Sequence, residues 1–155
     1  MSALWQILEP ACVALELKAG RKAEALEEMA GLLVQAGKIR DGTALLQALL
    51  AREKKISTGV GEGIALPHCA SPELSAPALA VARKREGLDF EALDGKPVRL
   101  LFLLVGQNDR PTVQLRLLSR LARLLRDPAF PQALLAAESP EAVRELFRQA
   151  EQAEA

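Results

Sequence analysis

The 155-residue chain is 50% hydrophobic and 26% charged, the balance of a globular domain. At this length it can bury about 68–70% of its unfolded surface without staples. Twenty basic residues match twenty acidic ones, and aromatic residues are only 3% with no tyrosine, which argues against nucleic acid and anionic membranes as partners.

Two distant cysteines, Cys12 and Cys69, form no disulfide framework and fit a reducing compartment. The N-terminus has neither the basic segment nor the apolar core of a signal peptide. The longest apolar run, Leu100 to Val105, is too short to insert in a bilayer. A single soluble, cytoplasmic domain over residues 1–155 is expected.

In chain order, residues 11–17 alternate enough after Pro10 for a short strand, closed by Gly20. Between Arg21 and Gly37, the apolar positions Ala25, Leu26, Met29, Leu32 and Leu33 recur at helical spacing. Glu24, Glu27 and Glu28 face away, and Gly37 suits the C′ position. Asp41 caps a second helix with Leu45, Leu46, Leu49 and Leu50 as its buried stripe; Arg52 and Glu53 lie near its C-terminal end.

Residues 57–63 read as a glycine-rich turn and 64–67 as a short buried strand, at whose end Pro67 fits. Residues 79–85 predict a strand running out towards solvent. A connector follows over 87–97, with Asp94-Gly95 as a turn, then a central strand over 98–105 that is apolar on both faces. The helix predicted over 111–126 turns Leu115, Leu118, Leu121, Ala122 and Leu125 inward. Asp127-Pro128 opens a shorter helix through Ala137, and Ser139-Pro140 opens the last one. The order predicts an α/β fold: a single domain with a mixed central β-sheet flanked by helices.

The chemistry concentrates in residues 52–68. His68 is the only histidine, delivered to a strand end by Ile64-Ala-Leu-Pro. A neutral imidazole is a competent nucleophile, so phosphorylation on nitrogen is chemically available. A lone histidine without a Cys, Asp or Glu set lacks the ligand count for a metal, and no cofactor is expected. The glycines at 59, 61 and 63 lack the dinucleotide spacing and the Walker Gly-Lys-Ser/Thr. They make either a tight turn needing positive φ or a backbone whose amides approach a phosphoryl group. Arg52 is either a solvated helix-end charge or a guanidinium holding phosphate oxygens during transfer.

The run Arg-Glu-x-x-x-Ser-Thr-Gly-Val-Gly-Glu-Gly-Ile-Ala-Leu-Pro-His resembles the IIA domains of the bacterial phosphoenolpyruvate-dependent sugar phosphotransferase system, of the mannitol/fructose type. That group includes the nitrogen-regulatory IIA proteins. The likeness extends through residues 87–98, 100–105 and 114–122 and covers about residues 10 to 150.

The resemblance implies the mannitol/fructose-type IIA fold, with His68 accepting a phosphoryl group from the phosphocarrier HPr and Arg52 balancing its charge. Transport members pass the group to a IIB domain, whereas regulatory members change partner with phosphorylation state. Two positions depart from the pattern. Gln114 stands where a second active-site histidine is common, and its amide can still hydrogen-bond phosphate or imidazole without becoming cationic. Cys69 replaces a usual glycine: simple drift is the favoured reading, with a Cβ that crowds partner docking or a reactive thiol beside the imidazole as the alternatives.

Overall fold

The computed structural model describes residues 2–154, so both terminal residues of the expected 1–155 domain lie outside the described part. Its elements are α1 (Leu4–Ile7), β1 (Val13–Ala14), α2 (Lys22–Gln35), α3 (Gly42–Lys55), β2 (Gly59–Gly61), β3 (Ile64–Ala65), β4 (His68–Ser71), β5 (Ala78–Leu88), β6 (Val98–Gln107), α4 (Pro111–Leu125), α5 (Ala129–Ala136) and α6 (Pro140–Glu154). The strand order is β1-β5-β6-β3-β2, with β4 also paired to β6. β5 runs antiparallel to β6, while β1 is parallel to β5, and β3 and β4 are parallel to β6. The sheet is mixed and β6 is central, as its two-sided apolar pattern predicts.

Alternation along β6 divides the core in two. Leu101, Leu103 and Val105 face one way, joining Ala78, Ala80 and Ala82 of β5 under α2 and α3. The small β5 side chains leave room there for Leu26, Met29 and Leu33 of α2. Leu100, Phe102 and Leu104 face the other way, under α1, α4, α5 and α6. Phe147 closes that layer, edge-on to Phe102 at 6.2 Å and to Phe130 at 5.1 Å.

Local signals hold at three helix ends. Asp41 Oδ1 accepts the Ala44 amide at 3.0 Å, and Ser139 Oγ accepts that of Ala142 at 3.0 Å. Gly37 has φ 75° and follows α2, where the left-handed turn lets the Lys38 amide donate to Leu33 O at 2.9 Å.

Three expectations are corrected. The strand over 11–17 shrinks to Val13–Ala14, because Pro10 starts a 3₁₀ turn and the Leu15 carbonyl accepts a side chain, Arg83 Nε at 2.8 Å. The β5 strand does not run out to solvent at 83–84: Arg83 and Lys84 are 5% and 8% exposed. α4 buries Leu117, Leu121 and Leu124, whereas Leu115 is 65% exposed and Ala122 is also exposed. The inward stripe is therefore rotated from the one expected.

Candidate functional site on the histidine strand

β3 and β4 follow one another along a single edge of β6, registering Ile64 with Leu100 and His68 with Leu104. The break between them is Leu66-Pro67. Proline has no amide to donate, yet Pro67 O still accepts the Leu104 amide at 3.0 Å, so the edge stays paired up to the histidine. Registered neighbours share a sheet face. His68 thus lies on the Leu104 face, the α4 side, and Cys69 on the Val105 face, where it packs against the α2–α3 core.

His68 is half-buried, and its Nδ1 lies 2.7 Å from Leu66 O. A carbonyl oxygen only accepts, so in the neutral ring Nδ1 carries the hydrogen and Nε2 the lone pair. Two residues of backbone therefore select the tautomer.

Gln114 sits in the first turn of α4, and its Nε2 donates to Cys69 O at 2.7 Å. Its side chain lies flat across β6: a Cβ on Gly106 would stand 2.9 Å from Gln114 Cβ. The glycine is there for close approach. Gln114 thus braces α4 against the histidine strand, and its amide hydrogen bond goes to the residue after His68, not to the imidazole.

Arg52 comes from the last turn of α3 and donates from Nη1 to Ile56 O at 2.8 Å. Among the described residues no carboxylate lies within ion-pair distance of it. Its tie to His68 is through the backbone: two residues beyond Ile56, Thr58 O accepts the Leu66 amide at 2.9 Å, and Leu66 O holds the imidazole.

The glycine run forms a hairpin turn. β2 and β3 pair antiparallel, with Gly61, Glu62 and Gly63 at φ 107°, 57° and 77° between them. Two of its amides are engaged by side chains: Gly59 N–H goes to Ser57 Oγ at 3.0 Å and Glu62 N–H to Asp94 Oδ2 at 3.0 Å. Backbone N–H groups of Lys96 and Glu62 hold the Asp94 carboxyl below its ordinary pKa.

Burial pushes the Cys69 thiol up to about 12, which speaks against the alternative of a reactive thiol beside the imidazole. The sign is definite: the folded pKa lies above the unfolded one, about 8.5, so this thiol favours folding below that value and the benefit is lost as pH rises towards 12. Iodoacetamide at pH 9 is expected to label Cys69 at least tenfold slower in the native protein than in urea. Equal rates would contradict the burial.

Sequence reasoning left Ser57, Thr58 and Glu53 without a role. Ser57 Oγ donates to Phe90 O at 2.9 Å, and Thr58 N–H donates to Glu53 Oε1 at 3.0 Å. The signal available was Arg-Glu followed by Ser-Thr just ahead of the glycines.

A mixed sheet between helical layers, carrying one half-buried histidine on the strand beside its centre, defines a IIA-type architecture. Residues 6–150 match the family model described as "Phosphoenolpyruvate-dependent sugar phosphotransferase system, EIIA 2", and the chain belongs to that family. It is 36% identical over 144 residues to the fructose-specific EIIABC component of Bacillus subtilis, covering 93% of this chain but only 23% of that protein. It is 36% identical over 146 residues to a nitrogen regulatory protein of Pseudomonas aeruginosa, covering 94% and 95% of the two chains. The fold is similar to nitrogen regulatory protein IIA-Ntr of Neisseria meningitidis, with TM-score 0.86, 32% identity and coverage of 93% and 98%. It is also similar to a chain of the Escherichia coli complex of enzyme IIAMTL with phosphorylated enzyme IIBMTL, with TM-score 0.75, 26% identity and coverage of 92% and 97%. Among the described residues no helix is long and apolar enough to cross a membrane.

Proposed function

We propose that the chain is a phosphoryl carrier that takes the group from phosphorylated HPr on His68 Nε2 and passes it to a IIB domain, acting in the cytoplasm. The observation that carries this reading is the 2.7 Å contact of Nδ1 with Leu66 O, which leaves the Nε2 lone pair as the nucleophile. In the step, the Nε2–P bond forms as the bond from phosphorus to the donor breaks. The electron pair of that bond leaves with the donor. The hydrogen stays on Nδ1, donated to Leu66 O, so no proton has to move.

Among the described residues no carboxylate lies within ion-pair distance of Arg52, so its remaining N–H groups are available to oxygens of the transferring group. Gln114 acts by holding β4 through Cys69 O. A IIB partner is supported by the solved IIAMTL–IIBMTL complex.

The test is intact mass after incubation with phosphoenolpyruvate and the general phosphotransferase proteins. Gain of one acid-labile phosphoryl group supports the reading, and no gain counts against it.

The second reading is a regulatory protein that binds partners according to, or independently of, His68 phosphorylation. Gln114 favours it: the position carries no cationic side chain, and its amide is already engaged by Cys69 O, which lessens stabilisation of a phosphorylated state. Partner affinity that differs between the phosphorylated and unmodified protein would support a switch, since a ligand shifts a state only by its differential affinity.

A further inference from the structure

We propose that Glu53 is a positioning residue for His68, acting through an unbroken hydrogen-bond line that sets the imidazole tautomer. The kinetic part of this inference rests on the phosphoryl-carrier reading; the tautomer part does not.

Glu53 stands beside Arg52, but its side chain is turned into the protein, at 5% exposure. A buried carboxylate is costly unless it is paired and hydrogen-bonded. Here Oε1 accepts the Thr58 amide at 3.0 Å and the Lys22 ammonium at 2.9 Å, and Oε2 accepts the Thr58 hydroxyl. Lys22 is itself fixed, with Nζ 4.8 Å from the Phe90 ring centroid. Two donors of the same residue on one carboxylate leave Thr58 no freedom to rotate.

From Thr58 the line continues to the imidazole. The Thr58 carbonyl accepts the Leu66 amide at 2.9 Å, and the Leu66 carbonyl accepts His68 Nδ1–H at 2.7 Å. The carbonyl that decides which ring nitrogen carries the hydrogen is thus the far end of a line starting at Lys22 and Glu53. Each link passes through a residue held at both its N–H and its C=O, so the carboxylate orients the last contact by fixing the backbone of Thr58 and, through it, of Leu66.

The line joins α2, α3, the segment after α3 and the histidine strand. It also separates the adjacent residues of the Arg-Glu pair. Arg52 holds Ile56 O from outside, while Glu53 holds Thr58 from inside.

The experiment is a two-bond proton–nitrogen correlation spectrum of protein labelled with nitrogen-15 histidine. His68 is the only histidine, so its ring alone is read. The folded wild type is expected to show Nδ1 as the hydrogen-bearing nitrogen and Nε2 as the bare one. In Glu53→Ala and Thr58→Val a second population with hydrogen on Nε2 is expected. Phosphoryl transfer should slow roughly ten- to hundredfold in kcat, with KM for phosphorylated HPr unchanged.

Glu53→Gln keeps one acceptor for the Thr58 amide and should lie between wild type and Glu53→Ala, which keeps the proposal testable if the alanine variant does not fold. A folded variant that melts lower yet keeps the wild-type tautomer would overturn the inference, because Glu53 would then be only a structural anchor. A wild type that accepts no phosphoryl group while the tautomer still shifts would count against the carrier reading and leave the positioning intact.

Discussion

His68→Ala is expected to take up no phosphoryl group, where the wild type gains one from phosphoenolpyruvate through the general phosphotransferase proteins. The chain has no other histidine, so no second imidazole can substitute. Loss of the acceptor should leave the fold in place. His68 pairs with β6 through its backbone, and its side chain makes one hydrogen bond, to Leu66 O. Such a bond contributes about 1 kcal/mol net, which lowers the melting temperature of a domain this size by a few degrees, about 2–4 °C. Intact mass and a thermal melt on the same sample separate the two effects. Undiminished labelling of a folded His68→Ala protein would move the acceptor elsewhere and remove the basis of the carrier assignment. An unlabelled wild type, by contrast, would direct attention to partner binding.

What could be read ahead of the structure follows from how far each interaction reaches along the chain. Asp41, Gly37 and Ser139 act within a few residues, and their caps are as expected. The central strand declared itself because both faces of β6 are apolar. α4 misled because it is leucine-rich on two neighbouring faces. Arg116 and Arg123, both exposed, mark the solvent side and exclude Leu115 and Ala122 from the core.

The site divides along the same line. His68 could be found from its isolation after an apolar run, but the partner of its Nδ1 is a backbone carbonyl that any sequence supplies. Gln114 reaches Cys69 across 45 positions, and Asp94 reaches Glu62 across 32, so neither contact leaves a local pattern. The glycines suited a turn from the sequence, but the engagement of its Glu62 amide by Asp94 left no local sign.

Buried charge on β5 was the least visible feature, and it carries the largest stability prediction. Arg83→Met is expected to cost about 3–5 kcal/mol, since each orphaned buried group costs roughly 1–3 kcal/mol. The guanidinium reaches two elements at once. Nε donates to Leu15 O at 2.8 Å beyond β1, while Nη1 serves Leu134 O and Leu135 O at 3.0 Å and Ala137 O at 2.8 Å at the end of α5. Leu134 O otherwise takes only the long 3.4 Å contact from the Ala137 amide, and these carbonyls lie at the helix's negative end, so a cation is the suitable cap. Burial, and next the neighbouring Arg85, lower the Arg83 pKa, in the direction expected for a desolvated cation.

Methionine keeps the apolar stem and removes every donor, leaving the α5 carbonyls unsatisfied. Arg83→Lys supplies one ammonium, which cannot reach Leu15 and the α5 end together, and should fall between. Urea unfolding checks both. Because native domains of this kind are stable by only about 5–15 kcal/mol, Arg83→Met should move the midpoint far down or leave the chain largely unfolded. A loss under about 1 kcal/mol would mean that water replaces the guanidinium at the end of α5, and that the apolar layer under α5 and α6 holds without it.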